Sequence, residues 1–379
     1  MKNKIASIDF SLFITVFMMI LIGLMMVYSA SYTYAILEYG NATHFFDRQL
    51  MWIVLGLIMF FIVSFIPYQL YGKLIAPMVI LMLVLLTLVL IPGVGVERNY
   101  STRWLGFGPI LFQPSEIAKI IMILYFAKAY MNKRDYIEDF RKGLLPPLIL
   151  LVVVFALIVL QPDLGTGISL LVACGSILLI SAARWHHLFA LGAVALMSVI
   201  LLATSADYRS DRLTSFMDPF ADPLGLGFQM VNSYVAIGTG GITGAGIGNS
   251  IQKLGFLPEA HTDFIMAIII EELGILGLSA IVILYMLLLF KGFEIFKYAP
   301  DYFGKFIAFG VTIQICFQAV LNLGAVSGLL PITGITLPLI SYGGSSMLIT
   351  LIGLGILMNI SMQISQRKKN SERNVSKAI

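Results

Sequence analysis

The residues able to do chemistry in this sequence are a few carboxylates and cations beside long apolar runs. Asp263 lies in the segment LPEAHTDFIMA, with His261 just before it, and a carboxylate can act as a general acid or base. Arg103 and Lys253 can bind an anion, because guanidinium and ammonium groups stabilise negative charge. Trp104, next to Arg103, can stack on a ligand or anchor at a membrane interface.

Three further charged residues allow both a structural and a functional interpretation. Glu116 and Lys119 are three positions apart in QPSEIAK, so they can pair on one face of a helix. Asp163 in QPDLGT can cap the helix that follows it, and Asp263 can be a carboxylate favoured by a helix N-terminus. Together these residues come from distant parts of the chain, yet all fall at one depth beside apolar segments. The pattern predicts a polar cavity open to one side of a membrane.

The composition defines the environment in which these residues act. Of the 379 residues, 59% are hydrophobic and 12% are charged, and the mean hydropathy is +0.94. A soluble fold of this size cannot remove so much apolar surface from water. We therefore exclude a soluble enzyme, a disordered chain and a nucleic-acid-binding protein, and predict an all-α integral membrane protein.

Ten apolar segments predict ten transmembrane helices in a single polytopic membrane domain, residues 1–379. The first is too long for the apolar region of a signal peptide, so we expect an uncleaved span. Both cysteines lie inside apolar segments, which argues against a disulfide framework. The predicted spans are 10–32, 49–66, 74–92, 114–131, 145–161, 164–182, 187–204, 263–290, 305–327 and 345–363.

The basic residues predict the orientation of these spans. Most of the 24 lysines and arginines, Lys2 and Lys4 among them, fall in segments on the same side as the two termini. By the positive-inside rule both termini are cytoplasmic, and the polar residues above lie near the outer face. The basic tail, about 364–379, is expected to be a solvated cytoplasmic end near anionic lipid.

The segment of about 205–262, between spans seven and eight, is much longer than the other connections. Loops of such length are usually functional or disordered, and the aromatic residues of this extracytoplasmic loop predict that it packs and partly orders. Its glycine run GTGGITGAGIG, residues 238–248, follows no strand and does not match a dinucleotide fingerprint. A flexible re-entrant turn is favoured over a phosphate cradle.

Four motifs together resemble the SEDS family, the shape, elongation, division and sporulation proteins. The resemblance covers nearly the whole chain, and segment 232–264 is most similar to the members that act in cell division. The sporulation members are close, whereas elongation members usually carry a basic residue where Ala260 stands. The motifs are NYSTRWLGFGPILFQPSE at 99–116, QPDLGTG at 161–167, LPEAHTDFIMAIIIEELGILG at 257–277 and PITGITLPLISYGGSS at 331–346.

The resemblance implies a peptidoglycan glycosyltransferase in the plasma membrane of a bacterium, with its active site facing outside. Its substrate would be lipid II, a disaccharide-pentapeptide on undecaprenyl diphosphate. Its partners would be a class B penicillin-binding protein, which is a transpeptidase, and other divisome proteins. Asp263 corresponds to the family's essential aspartate. Arg103 with Trp104, and Glu116 with Lys119, correspond to the family's outer-loop pair and fourth-span pair.

The residues suit that chemistry, because a sugar hydroxyl needs a base and a diphosphate leaving group needs positive charge. We expect Asp263 to be the base, and burial would strengthen it by raising its pKa. Arg103, with Lys119 or Lys253, is expected to bind the diphosphate.

Asp163 and His261 complete the set of expected substrate-binding residues. No metal-ligand spacing is visible in the sequence. A divalent cation, Mg²⁺ or Mn²⁺, could still bridge the diphosphate to Asp263 or Glu116, since Mg²⁺ is often held by one carboxylate and phosphate oxygens.

Two alternative functions use the same features. A lipid II flippase would have the same substrate and cavity, with Glu271 serving an ion-coupled cycle. In a flippase, however, the charged residues would be expected near the midplane of the membrane, whereas here they are predicted near the outer face. The two halves of the sequence also show no internal repeat. A scaffold that recruits a class B penicillin-binding protein predicts instead that Asp263 is dispensable.

Overall fold

The computed structural model describes residues 7–98, 101–107 and 110–378 of the chain. Lys2 and Lys4, which were used to predict the orientation, lie outside these residues, as do four positions of the motif at 99–116. The described helices are α1 Phe10–Tyr39, α2 His44–Phe65, α3 Gln69–Lys73, α4 Ile75–Val89, α5 Pro114–Asn132, α6 Leu145–Leu160, α7 Leu164–Leu179, α8 Trp185–Ala203, α9 Asp207–Met217, α10 Phe228–Gly240, α11 Ile265–Tyr298, α12 Tyr302–Val326 and α13 Gly344–Ala378.

The predicted multi-span helical fold is confirmed. Among the described residues, seven helices are long and apolar enough to cross a membrane, and α4 and α7 are shorter apolar helices. The remaining predicted span, 114–131, is α5, whose charges Glu116, Lys119 and Lys128 lower its hydropathy. Each predicted apolar segment therefore contains one helix of the structure.

The N-terminal end of α1, the first helix, is hydrogen-bonded to α13, the last helix. Asp9, the N-cap of α1, accepts a hydrogen bond from Leu12 N at 3.2 Å and another from Ser361 Oγ of α13 at 3.0 Å. The beginning of α1 and the part of α13 around Ser361 therefore lie on the same side of the bundle, as an even number of spans requires. The polar tail after residue 363 continues α13 as a helix to Ala378.

A small antiparallel sheet in the outer loop between α4 and α5 adds to the predicted helical fold. Its strands are β1 Gly95–Arg98, β2 Ser101–Phe107 and β3 Ile110–Phe112, in the order β1-β2-β3. The segment is too short and glycine-rich to show a clear alternation of apolar and polar residues, which is why sequence periodicity missed it. The pairing of β1 with β2 is irregular at this point: Val96 pairs with Trp104 and Glu97 with Thr102, which leaves Arg103 as an extra residue between two paired positions.

The eighth span, α11, is interrupted at Gly274. This residue has φ 65° and ψ −159°, a backbone conformation that an α-helix cannot contain and that favours glycine. The N–H groups that follow the break lose their partners in the helix and donate to the outer loop instead. Ile275 N donates to Gly241 O at 3.0 Å, and Leu276 N donates to Ile242 O at 3.3 Å.

The carbonyls released on the other side of the break are satisfied by the same loop. Glu271 O accepts from Ala245 N at 2.9 Å, and Glu272 O accepts from Gly246 N at 3.0 Å. The glycine run at 238–248 is thus built into the break by four backbone hydrogen bonds, rather than forming the expected flexible turn. A side chain at Gly244 would not fit, because its Cβ would meet Glu272 O.

Candidate active site

Asp263 lies in a tight turn immediately before α11. Thr262 N and Phe264 N both donate to Glu259 O, at 3.1 and 3.3 Å, and Glu259 has φ 53°. The Thr262 hydroxyl donates to a Glu259 carboxylate oxygen at 2.6 Å and lies 3.2 Å from Asp263 Oδ1. The LPEAHTDF motif therefore folds into a turn that presents the Asp263 carboxylate at the outer end of the bundle.

The surroundings of Asp263 make its carboxyl a usable base. Burial and the negative charge of Glu259 raise the pKa of Asp263 to about 7, and Thr262 and the Arg212 guanidinium oppose this rise only in part. A group with a pKa near the working pH can both take and hold a proton. The expectation that burial strengthens Asp263 as a base agrees with this environment.

The backbone of Asp263 is held by α12. Asn322 Nδ2 donates to Asp263 O at 2.7 Å and to Ile335 O at 2.8 Å. One side chain therefore ties the turn before α11 to the irregular segment 331–341. The sequence carried a signal for this residue, because a buried amide within an apolar span is costly unless it has a task.

Arg103 and Asp163 form an ion pair at the same end of the bundle. Arg103 Nη1 lies 3.5 Å from Asp163 Oδ1, and Arg103 Nε donates to Gln161 O at 3.3 Å. The Asp163 carboxylate also caps α7, accepting from Thr166 N at 3.3 Å, and accepts from Gln113 Nε2 at 3.0 Å. Asp163 therefore caps a helix, as the sequence allows, and pairs with Arg103, whereas its expected role in binding substrate stays a prediction.

Arg212 of α9 is a cation that the sequence motifs did not select. Burial and the positive charge of Arg103 lower the pKa of Arg212, whereas the Asp263 and Asp163 carboxylates raise it. A Cβ added at Gly334 would lie 3.8 Å from Arg212 Nη1 and 4.0 Å from Asp263 Oδ2. The tertiary fold thus brings Arg212 and Asp263 together beside Gly334, with Arg103 and Asp163 close enough to Arg212 to act on its charge.

Glu116 and Lys119 form a buried ion pair on α5, at 2.9 Å. Lys119 Nζ also donates to Gln318 Oε1 at 2.9 Å, and Gln318 Nε2 donates to Thr336 O at 3.0 Å. The two charged side chains are almost fully buried, and together with Gln314 they line a small cavity inside the bundle. Lys119 is therefore enclosed beneath the site rather than exposed to a diphosphate, which corrects its expected role.

Lys253 also departs from its expected role. Its ammonium lies 2.6 Å from a Glu272 carboxylate oxygen and 3.1 Å from Ser29 Oγ, and both charged side chains are buried. Ser29 Oγ in turn donates to Glu272. We therefore remove Lys253 from the diphosphate-binding cations: it fixes the outer loop to α11 and α1.

Glu271 faces a different partner from Glu272, as their adjacent positions on a helix predict. Its carboxylate accepts from Ile251 N at 2.8 Å and from Gln252 N at 3.4 Å, and also from the Ser250 hydroxyl. Both carboxylates are therefore bonded to groups of the outer loop. A carboxylate that couples ion binding to transport must be free to bind the ion, and the Glu271 carboxylate is not.

His261 serves the packing of the turn. Its ring lies among aromatic rings, with centroid distances of 4.3 Å to Phe45, 5.7 Å to Tyr34 and 5.6 Å to Tyr342. Burial lowers the pKa of His261 to about 4, so the imidazole is neutral at neutral pH. Its backbone carbonyl accepts from Tyr342 N at 2.9 Å. We therefore revise the expected substrate-binding role of His261 to positioning of the turn that carries Asp263.

Trp104 and Arg103 are neighbours in β2, at an irregularity in its pairing with β1. Trp104 pairs with Val96 of β1 and is partly exposed, whereas the register skips Arg103. Arg103 forms its ion pair with Asp163. A role for Trp104 in binding substrate stays a prediction.

The described carboxylates offer limited options for a divalent cation. Across the described part of the chain, no three His, Cys, Asp or Glu side chains are close enough to hold a metal ion by themselves. Glu116 is committed to Lys119, so it does not fit the proposed bridge to a diphosphate. Asp263 does fit, because one carboxylate and phosphate oxygens suffice for Mg²⁺.

Comparison with known proteins places this arrangement in one family. The model of the FtsW/RodA/SpoVE "cell cycle protein" family matches residues 10–366. Stage V sporulation protein E of Bacillus subtilis is 42% identical over 361 residues, which cover 95% of this chain and 99% of that protein. The probable peptidoglycan glycosyltransferase FtsW of the same organism is 39% identical, covering 98% of this chain and 95% of that one.

Solved structures share the fold. A chain from a structure described as "Structural coordination of polymerization and crosslinking by a peptidoglycan synthase complex" superposes with a TM-score of 0.76 at 30% identity, covering 94% of this chain and 98% of that one. The rod shape determining protein RodA of Thermus thermophilus has a TM-score of 0.70 at 29% identity, covering 93% and 96% of the two chains.

Proposed function

This chain belongs to the SEDS family of FtsW, RodA and SpoVE proteins, and we propose that it polymerises lipid II into glycan strands at the outer face of the bacterial plasma membrane. It is accordingly a multi-pass membrane glycosyltransferase of peptidoglycan synthesis. The observation that carries this proposal is the position of Asp263, a carboxyl with a pKa of about 7 close to the guanidinium of Arg212, which in turn lies near Arg103. A base and an anion-binding pair at one site match the two needs of the reaction.

The proposed reaction begins with a sugar hydroxyl of one lipid II molecule close to Asp263. The carboxylate takes the hydroxyl proton as the oxygen bonds to the anomeric carbon of the second chain. The bond between that carbon and the diphosphate oxygen breaks, and the electron pair leaves with the undecaprenyl diphosphate. Arg103 and Arg212 stabilise the charge that develops on this leaving group.

The pH dependence of the rate should report the ionisation of Asp263. Because the pKa is about 7 and the base must be deprotonated, the rate should rise about tenfold per pH unit below 7 and level off above it. Measuring the polymerisation rate from pH 5 to 9 checks this rising part of the pH–rate profile, the pH limb. A limb near pH 4, the ordinary range of aspartate, would contradict the proposed environment of the base.

Arg212→Gln should lower kcat/KM for lipid II by about 10- to 100-fold, because a hydrogen bond to a charged group contributes about 1.5–3 kcal/mol. Arg209→Gln is the matched control from the same helix. Its guanidinium donates to Leu202 O at 3.0 Å and to the Tyr208 hydroxyl, not to the site. Steady-state polymerisation should separate the two variants; equal effects would remove Arg212 from the diphosphate site.

We propose that a class B penicillin-binding protein acts with this chain, and that its main task is septal wall synthesis. The similar chain from a peptidoglycan synthase complex supports a transpeptidase partner. The identities to the sporulation and division relatives, 42% and 39%, are close, so a sporulation role is the second candidate. Depletion in growing cells should give filaments for the septal role, and unaffected growth with defective spores for the alternative.

The enzymatic proposal is tested by mixing the purified protein with lipid II, with and without the class B partner, and resolving the products on a gel. Long glycans are expected from the wild type. Their absence under both conditions would overturn the proposal and favour the lipid II flippase or the scaffold. Transport of labelled lipid II in proteoliposomes would then distinguish those two.

A further inference from the structure

Segment 331–341 has neither helical nor strand structure over most of its length, yet it forms one wall of the site. Gly334, within it, lies between Arg212 and Asp263. Without a backbone ladder, the position of such a segment depends on side chains that bond to its carbonyl groups. In the described structure α12 supplies two of these bonds, and Tyr285 of α11 and Gln49 of α2 supply one each, to Pro338 O and Ser341 O.

Two amide side chains of α12, one helical turn apart, hold consecutive carbonyls of this segment. Gln318 Nε2 donates to Thr336 O at 3.0 Å, and Asn322 Nδ2 donates to Ile335 O at 2.8 Å. Residues four apart lie on one face of a helix, so both amides face the segment. Both are almost fully buried, which makes each lost hydrogen bond costly.

Of these two amides, only Asn322 is also bonded to the turn that carries Asp263. Its amide donates to Asp263 O at 2.7 Å, so a single NH₂ group joins the main chain of this turn to the wall that carries Gly334. The bond goes to the backbone carbonyl of Asp263 and not to its carboxylate, so Asn322 does not act on the reacting atoms directly. Its bonds instead fix the separation of Asp263 from the opposite wall.

We propose that Asn322 is a positioning residue for glycan polymerisation, holding Asp263 at its working distance from segment 331–341. This proposal rests on the proposed function. A displacement of about 1 Å at a reacting group can lower a rate about 100-fold even when the change lies outside the chemistry. The effect should therefore appear in kcat rather than in KM for lipid II.

The test compares Asn322→Leu with Gln314→Leu. Gln314 is the matched control, because it is an equally buried amide on α12 that bonds to Ser169 at 2.5 Å and to Gln318 at 3.4 Å but not to segment 331–341 or Asp263. Folded protein is quantified by size-exclusion chromatography, and kcat, KM and the pH limb are measured per folded molecule.

For Asn322→Leu we expect kcat to fall about 10- to 100-fold and KM for lipid II to change less than about twofold. The pKa read from the pH limb should move from about 7 toward the ordinary aspartate range, because water reaches the loosened turn. Gln314→Leu should leave the limb unchanged. Asn322→Gln, which retains the donor on a longer stem, should recover part of kcat.

The remaining outcomes would contradict either the positioning role of Asn322 or the proposed function. Folded Asn322→Leu with kcat within twofold of the wild type and an unmoved limb would overturn the proposal. If neither Asn322→Leu nor Asn322→Gln folds, the residue determines the fold rather than positioning the base, and the proposal also fails. No glycan from the wild type in the same assay would instead count against the proposed function.

Discussion

Replacing Asp263 with asparagine should lower lipid II polymerisation by a factor of about 10² to 10⁴, the range that general-base catalysis supplies. Asparagine has nearly the same shape but cannot accept the proton of the attacking hydroxyl. The carboxyl is partly buried with a pKa of about 7, so its removal also relieves an unfavourable burial of charge. The variant should therefore fold at least as well as the wild type.

Glu259→Gln is the control for this substitution, because it removes the neighbouring carboxylate of the same turn. Its negative charge helps to raise the pKa of Asp263, so the variant should stay active while its pH limb moves to a lower pH. Gel-resolved polymerisation by both variants across pH 5 to 9 gives the measurement. Activity of folded Asp263→Asn within tenfold of the wild type would show that Asp263 is not the base.

Lys253→Met should lower the free energy of unfolding by about 3–5 kcal/mol, the usual cost of removing one partner from a buried ion pair. Glu272 is 0% exposed, and Lys253 supplies its counter-charge at 2.6 Å. Without the lysine, Glu272 keeps only Ser29 as a side-chain partner and must be buried as a charge or bind a proton. The connection between the outer loop and the half of α11 that follows Asp263 should loosen.

Lys291→Met is the matched control, since Lys291 is a partly exposed lysine that pairs with Glu294 at 2.8 Å and lies 4.0 Å from Asp9. Such pairs contribute about 0–1 kcal/mol, so this variant should be nearly as stable as the wild type. The double variant Lys253→Met, Glu272→Leu should recover most of the lost stability, because it leaves no buried charge. Chemical unfolding in detergent measures all three, and equal stability of the two lysine variants would refute a structural role for Lys253.

Much of the fold could be predicted because it depends on local properties that add along the chain. Transfer of an apolar segment into lipid is a sum over its own residues, so ten spans are visible without any tertiary contact. The LPEAHTDFIMA motif identified Asp263 by its resemblance to a family, and the charge-poor composition excluded a soluble protein. The small sheet at 95–112 was missed, because its three short strands are stabilised by pairing with one another.

The choice of partners within the site was decided by the tertiary structure. Lys253 is closer to Asp263 in sequence than Arg212, yet Lys253 pairs with Glu272 while Arg212 faces Asp263. The difference arises because the loop from α9 to α11 folds back on itself, with the glycine run inserted at the break in α11. Composition and spacing do not contain this information, since an ion pair depends on a distance across the fold.

The sequence by itself thus determined the membrane architecture and the family, and it predicted Asp263 as the central residue. Only the tertiary structure decided that Asn322 bonds to the backbone of Asp263, that Lys119 and His261 are buried, and that Arg212 lies near Arg103 and Asp263. The physical reason is that hydropathy acts over consecutive residues, whereas hydrogen bonds and ion pairs join residues that are distant along the chain.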